Sequence, residues 1–189
     1  MAGILTVLYA SLLALPVPFA AVHLLFINLL TDSLPAIALG LEPHTEQVMH
    51  EKPRPRKEGI LTKPFLASVG LEGLVIAVGT IVAFHLGLRY GGEAAGATMA
   101  FATLCLSRLF HGFNCREDRS ILRMGLSGNP ASLAAFGVGV LLLLAVLLIP
   151  ALHGLFLVAD LTLAQLGMIL GLAVLPTLCI QITRIARGK

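Results

Sequence analysis

Three polar side chains that carry oxygen ligands lie close together inside an otherwise apolar stretch of this sequence. Asn28, Thr31 and Asp32 stand at positions i, i+3 and i+4, so in an α-helix they share one face. Pro35 has no N–H to donate to the carbonyl of Thr31, four residues earlier. One turn therefore offers amide, hydroxyl, carboxylate and freed carbonyl oxygens, which together are a set of ligands for a hard cation.

The composition indicates a membrane protein. The 189 residues are 57% hydrophobic and 12% charged, whereas soluble domains are about a quarter charged. Basic and aromatic residues are not interleaved in the way that indicates nucleic-acid binding, so no nucleic-acid partner is predicted. Cys105, Cys115 and Cys179 lack paired spacing. They are predicted to be small apolar residues or free thiols, and neither a disulfide nor a zinc site is expected.

Apolar segments separated by helix breakers predict an all-α membrane protein, a bundle of about six transmembrane helices. The segments run over residues 2–15, 19–41, 65–88, 94–113, 131–152 and 163–185. The first segment is too short to cross a bilayer of about 30 Å and is predicted to be a truncated span or a re-entrant piece. Asp32 lies about 13 residues into the second segment, which places it near the membrane midplane.

The distribution of basic residues predicts the orientation of these helices. The connections after the second and fourth segments, and the C-terminal tail, contain or adjoin all 13 Lys and Arg residues except Arg89. Because such charge accumulates on the cytoplasmic side, these connections and the C-terminus are predicted to be cytoplasmic. Residues 42–64 form one of these loops. Two interpretations of it remain open, a solvated positive loop or, because its prolines favour an extended chain, a docking strap for a cytoplasmic domain.

Three charged residues inside the predicted spans need an explanation, because a charge at the centre of a span costs on the order of 3 kcal/mol. Asp32 and Arg108 either form an ion pair that only holds helices together or mark an ion pathway. The long side chain of Arg108 either reaches the membrane interface or points inward, where it would occupy the space of a second cation. Glu72 is predicted to reach the interface or to make a helix-packing hydrogen bond.

Sequence signatures of catalysis are absent from the chain. It contains no glycine-rich phosphate loop, no nucleophile elbow and no HExxH motif. No catalytic residue and no cofactor-binding residue is therefore predicted.

Residues 28–43, NLLTDSLPAIALGLEP, closely resemble the sixth transmembrane helix of P-type cation-transporting ATPases, especially the calcium-pump branch. Residues 49–56, MHEKPRPR, resemble the cytoplasmic loop that follows this helix in the family. Residues 98–103 and 110–114 are similar to the eighth helix of bacterial members. The resemblance covers helices five (in part) to ten. It implies that residues 1–189 are a single C-terminal transmembrane domain, with 42–64 as a loop within it.

The same resemblance implies a function. Asn28, Thr31 and Asp32 correspond to ligands of a transported cation, with Ca2+ as the leading ion and Mn2+, Na+ or K+ as alternatives. Arg108 lies close to the position of an acidic ligand in pumps that carry two ions, so a single transported cation is expected. The implied partners are the lipid bilayer, in a bacterial plasma membrane, and the N-terminal helices and cytoplasmic domains of a parent pump.

ATP and Mg2+ would act only in that full-length parent, because the phosphorylation motif DKTG is absent from this chain. Whether the chain counts as an enzyme is therefore left open. A second interpretation is a free-standing integral membrane protein, such as a passive pore or an accessory subunit.

Overall fold

The regular elements of the described chain are all helices. The computed structural model describes residues 1–42, 59, 61–116 and 128–186. Its elements are α1 (Ala2–Leu12), α2 (Ala21–Phe26), a π-helix (Ile27–Asp32), α3 (Ser33–Gly40), α4 (Lys63–Asn114), α5 (Pro130–Leu148), α6 (Pro150–Phe156) and α7 (Leu163–Ala186). The predicted all-α class is confirmed. Most of the loop 42–64, including the predicted docking strap and the family-like stretch 49–56, lies outside the described residues.

The longest helix, α4, folds back on itself at Gly92. The backbone there has φ +76° and ψ −169°, a conformation that is essentially restricted to glycine. It divides α4 into a first arm, residues 63–91, and a second arm, residues 93–114. Glu72 in the first arm and His111 in the second approach to 3.4 Å, whereas a straight helix would separate them by roughly 60 Å. The two arms therefore correspond to the third and fourth predicted spans.

Helix length and composition agree with a membrane bundle. Four helical stretches are long and apolar enough to cross a membrane, namely Ala21–Gly40, Phe65–Asn114, Pro130–Leu148 and Leu163–Ala186. Because α4 folds back, these four stretches supply five passes. With 11 residues, α1 is the short first segment that the sequence predicts. These helices have the length and apolar composition of membrane spans.

The fifth predicted span ends earlier than expected. The apolar run continues to residue 152, but α5 ends at Leu148 and Ile149 is extended, with φ −94° and ψ 108°. A residue that precedes a proline is disfavoured in helical conformation, and Pro150 follows Ile149. The remaining apolar residues form the short helix α6, which ends at Leu157 in a left-handed conformation.

The second arm of α4 is the central element of the bundle. Its side chains are buried around much of the helix, as expected for a helix surrounded by others. Its almost fully buried members are Met99, Ala100, Phe101, Ala102, Leu104 and Cys105. Helix α7 packs against α4, while α3 packs against α5 and the π-helix contacts α4. The polar turn at residues 28–32 therefore lies against the centre of the bundle.

The helix termini that precede the basic connections share one end of the bundle. Arg116, two residues after α4, is bonded to Glu42, two residues after α3. Arg184 of α7 donates a hydrogen bond to the carbonyl of Asn114, the last residue of α4. We refer to this end as the Glu42 end and to the opposite end, where α4 folds back, as the Gly92 end.

Candidate cation site

A π-helix carries the three predicted ligands. Residues Ile27–Asp32 adopt this wider turn between α2 and α3, and π-turns inside α-helices occur frequently at functional sites. The sequence gives a local reason for it. Pro35 lacks an N–H, and in a regular α-helix its ring would crowd the carbonyl of Thr31. In addition, the Ser33 hydroxyl donates to the Asn28 carbonyl over 3.1 Å.

The π-helix directs the three side chains differently. Thr31 is buried, and its hydroxyl donates to the Ile27 carbonyl over 2.7 Å. The side chain of Asn28 is exposed on the outside of the chain, and Asp32 is intermediate. Asn28 and Asp32 therefore stay accessible, whereas Thr31 turns toward the bundle.

Asp32 and Arg108 form an ion pair between the π-helix and the second arm of α4. Asp32 Oδ2 lies 2.6 Å from Arg108 Nη1, and the two side chains are 35% and 26% exposed. Arg108 therefore points inward and does not extend to the membrane interface. In a low-dielectric environment each charge offsets the cost of burying the other. The sequence predicted two possible roles for this pair, a contact that only holds helices together or part of an ion pathway.

The Asp32 carboxylate could bind a cation only if the Arg108 guanidinium moved away from it. A hard cation prefers carboxylate and carbonyl oxygens, and Asp32 carries the carboxylate of the π-helix. The structure brings Asp32 and Arg108 together, and the three predicted ligands differ in burial, with Thr31 buried, Asp32 intermediate and Asn28 exposed. Among the residues that the structure describes, no three His, Cys, Asp or Glu side chains form a metal-binding group. Any cation here would therefore compete with the Arg108 guanidinium.

Glu72 makes interhelical contacts near the Glu42 end. Its carboxylate lies 3.4 Å from His111 Nε2 and 3.6 Å from Arg184 Nη2. The three side chains come from the two arms of α4 and from α7, and each is at least three-quarters buried. Of the two predicted behaviours of Glu72, helix packing is therefore the one that the structure supports.

His23, five residues before Asn28, contacts neighbouring elements. Its ring stacks on Phe101 with centroids 4.4 Å apart. Its Nδ1 accepts the N–H of Ala20, and its Nε2 lies 2.8 Å from the carbonyl oxygen of Phe156. A neutral imidazole with its proton on Nε2 satisfies both contacts. Both ring nitrogens are thus engaged in protein hydrogen bonds, which leaves neither free to hold a metal.

A second polar cluster, at the Glu42 end, was not predicted from the sequence. Arg116 donates from Nε and Nη2 to the Glu42 carboxylate at distances of 2.7 to 3.2 Å. Asn129 Nδ2 donates to Glu42 Oε2 over 2.6 Å and to the Ala38 carbonyl over 2.9 Å. The hydrogen bonds from Arg116 hold the pKa of Glu42 below its usual range. We call Glu42, Arg116 and Asn129 the Glu42 clamp.

One local sequence signal for this cluster exists. Asn129 precedes Pro130, and its Oδ1 accepts the N–H of Ser132, so it caps the N-terminus of α5. Asparagine followed by proline at the first helical position is a typical helix start. The pattern therefore predicts where α5 begins. It does not predict that the same side chain also reaches α3 and Glu42.

Residues 16–186 match the family described as cation transporting ATPase, C-terminus. The chain belongs to this family. The match covers the π-helix, both arms of α4 and the helices after them. Asp32 places a carboxylate within a helical stretch of membrane-spanning length in this match.

Curated relatives of this chain are named calcium-transporting ATPases and are several times longer than the chain. The chain is 36% identical over 188 residues to a calcium-transporting ATPase of Bacillus subtilis, which covers 98% of the chain and 21% of that protein. It is 34% identical to calcium-transporting ATPase 1 of Bacillus cereus, over 97% of the chain and 23% of the relative. It is 33% identical to calcium-transporting ATPase 1 of Lactococcus lactis, over 98% of the chain and 21% of that relative. The chain thus spans about a fifth of the length of these relatives.

Proposed function

We propose that this chain is the cation-translocating membrane portion of an ATP-driven Ca2+ pump, with Asn28, Thr31 and Asp32 as ligands of the transported ion. The observation that carries the proposal is the Asp32 carboxylate, which lies on a π-helix within a membrane-length helical stretch. Ionisable residues inside membrane spans are rare and costly, and they mark ion pathways and other functional sites. The names of the curated relatives support Ca2+ as the ion.

The exposed side chain of Asn28 fits a ligand set that is shared with other helices. Asn28 is exposed at the surface of the described bundle, and Asp32, four residues later, is partly exposed. Since Ca2+ takes six to eight oxygen ligands, a site built from this helix needs further oxygens from elsewhere in a longer pump. ATP and Mg2+ would act in the cytoplasmic domains of that pump, which is placed in a bacterial plasma membrane with the Glu42 end toward the cytoplasm.

Arg108 supports a site for one cation. Its guanidinium lies 2.6 Å from the Asp32 carboxylate, so positive charge is already present beside the π-helix. A second divalent ion at that place would meet direct charge repulsion. The transported ion would displace Arg108 from Asp32 on binding, and Arg108 would return when the ion leaves.

The test is cation-stimulated ATP hydrolysis by the full-length pump that carries this sequence, reconstituted in vesicles. Ca2+ is expected to stimulate hydrolysis and to accumulate in the vesicles. Asp32→Asn and Asn28→Ala are expected to weaken the apparent Ca2+ affinity by about tenfold or more. Glu93→Gln, which changes an exposed carboxylate at the Gly92 end, is the matched control and is expected to leave the affinity unchanged.

Repeating the assay with Mn2+, Na+ and K+ in place of Ca2+ distinguishes a calcium pump from the alternative functions. Stimulation by Mn2+ in preference to Ca2+ would replace the calcium assignment with a manganese pump. Stimulation by Na+ or K+ alone would refute the assignment to divalent ions. Ion flux through the 189-residue chain without ATP would support a passive pore in its place.

A further inference from the structure

The helical stretch Ala21–Gly40, which contains the π-helix and is called the ligand helix from here on, packs against the second arm of α4 in a fixed register. Near their middle, Asp32 pairs with Arg108. Pro35 follows Asp32 by three residues, and Gly112 follows Arg108 by four. The two face each other so closely that a Cβ placed on Gly112 would lie 3.3 Å from the Cβ of Pro35. At the Glu42 end, Glu42 pairs with Arg116. These three contacts follow one another in the same order along both segments, so the segments run parallel.

The spacing of the two ion pairs agrees with this parallel arrangement. Along a helix, Asp32 and Glu42 are roughly 15 Å apart, and Arg108 and Arg116 are roughly 12 Å apart. Two pairs at similar separations restrict both sliding and rotation of one helix against the other. A single flexible Arg–Asp contact would restrict them much less.

The Glu42 clamp is the more rigid of the two pairs. The Arg116 side chain is 1% exposed and binds the carboxylate through two nitrogens. Two-nitrogen arginine–carboxylate pairs fix orientation as well as distance. Asn129 joins Glu42 to the Ala38 carbonyl, in the last turn of α3, and to the start of α5. Three helices are therefore held together at the point where the ligand helix ends.

We propose that the Glu42 clamp positions the cation site, because it fixes the register in which Asp32 meets Arg108. Glu42, Arg116 and Asn129 do not touch the transported ion in this role; they are positioning residues. The proposal rests on the proposed function, in which a cation and Arg108 compete for Asp32. The clamp holds the competitor in place and thereby lowers the apparent cation affinity.

The register itself is tested without any transport assay. In the full chain, with Cys105, Cys115 and Cys179 replaced by alanine, Pro35→Cys and Gly112→Cys place two cysteine Cβ atoms at nearly the Cβ separation of a disulfide. The rate of disulfide formation under mild oxidation then reports how constantly the two helices face each other. Glu42→Gln and Arg116→Gln are expected to slow it by about tenfold, since each removes a charge-assisted hydrogen bond. Glu93→Gln, at the opposite end, is the control and is expected to leave the rate unchanged.

Equal rates with and without the clamp substitutions would overturn the proposal. If Arg116→Gln fails to fold, Glu42→Asp replaces it, because it keeps the charge and shortens the reach to Arg116. A slower rate for Glu42→Asp than for the parent chain would support the positioning role. An unchanged rate would contradict it.

The consequence for the cation is tested in the full-length pump. Glu42→Gln is expected to lower the Ca2+ concentration for half-maximal stimulation about threefold, with the maximal rate retained, because Arg108 competes less well. An unchanged or raised concentration would overturn this step. If the parent pump shows no cation stimulation at all, the proposed function fails, and the disulfide rates still decide whether the clamp sets the register.

Discussion

Asp32 Oδ2 and Arg108 Nη1 lie 2.6 Å apart, and the two residues belong to different membrane-length helices. The pair joins Asp32, the residue best suited to hold a cation, to Arg108, which carries a permanent positive charge. It therefore has two consequences, one for the stability of the bundle and one for ion binding. The two consequences can be separated, because stability is measurable on the chain and ion binding on the pump.

Breaking the pair from one side should destabilise the chain. Asp32→Asn leaves the Arg108 charge without its counter-charge, and Arg108→Gln leaves the Asp32 charge in the same situation. Each is expected to lower the free energy of unfolding by about 1–3 kcal/mol, less than for a fully buried pair because both side chains are partly exposed. The measurement is equilibrium unfolding of the chain in mixed micelles by a denaturing detergent. Glu93→Gln should stay within about 0.5 kcal/mol of the parent.

The double variant Asp32→Asn with Arg108→Gln gives the sharper test of the same pair. It places two neutral amides at the contact and leaves no charge unpaired, so it should be more stable than either single variant. Strictly additive losses would mean that the two side chains do not interact in the folded chain.

The number of ions carried per cycle follows from the position of Arg108. We expect one Ca2+ transported for each ATP hydrolysed, because the guanidinium excludes a second divalent ion by charge repulsion. Radioactive Ca2+ uptake and phosphate release, measured together in sealed vesicles, give this ratio. Arg108→Glu replaces the guanidinium with a carboxylate that can bind Ca2+, and it should raise the ratio of Ca2+ transported to ATP hydrolysed. A ratio of two in the unaltered pump would contradict the assigned role of Arg108.

Much of the helical arrangement follows from local features of the sequence. Hydropathy and breakers placed the two arms of α4 on either side of the Gly91–Gly92 pair, and they placed α7 within one residue of its observed C-terminal end. Both features depend on residues near in sequence. The early end of α5 also has a local cause, Pro150, although the continuous apolar run concealed it.

The side-chain partners were harder to predict, because they depend on how each helix is rotated in the bundle. Asp32 and Arg108 were recognised as a candidate pair since both are charges within membrane spans. Glu42 and Arg116 lie in polar connections, where a charge needs no explanation, so nothing in the sequence pointed to their contact. The π-helix was not predicted either. Pro35 indicated a disturbed turn, but the periodicity of a regular α-helix assigned Asn28, Thr31 and Asp32 to one face.

The Glu42 clamp should make stability depend on acid pH. The pKa of Glu42 is held below its usual value of 4.5, chiefly by hydrogen bonds from Arg116. A carboxyl with a lowered pKa stabilises the folded state fully above its usual pKa, and this contribution is lost as the pH falls through the lowered value. The difference in unfolding free energy between the parent and Glu42→Gln should therefore stay constant from about pH 7 down to about pH 5 and should shrink as the pH falls from there to about pH 3. A difference that stays constant down to about pH 3 would show that Arg116 does not favour the ionised form of Glu42.

The fold-back of α4 depends on Gly92. Its φ of +76° and ψ of −169° are unfavourable for any residue with a Cβ, and such strain costs about 1–3 kcal/mol. Gly92→Ala has open space around its new methyl group, so a loss of stability would arise from the backbone and not from a clash. The matched control is Gly171→Ala on the exposed face of α7, which is also free of steric conflict and should stabilise the helix by about 0.5–1 kcal/mol. Both are measured by detergent unfolding of the chain. If the two substitutions had the same effect, the turn between the two arms would not require a glycine at residue 92.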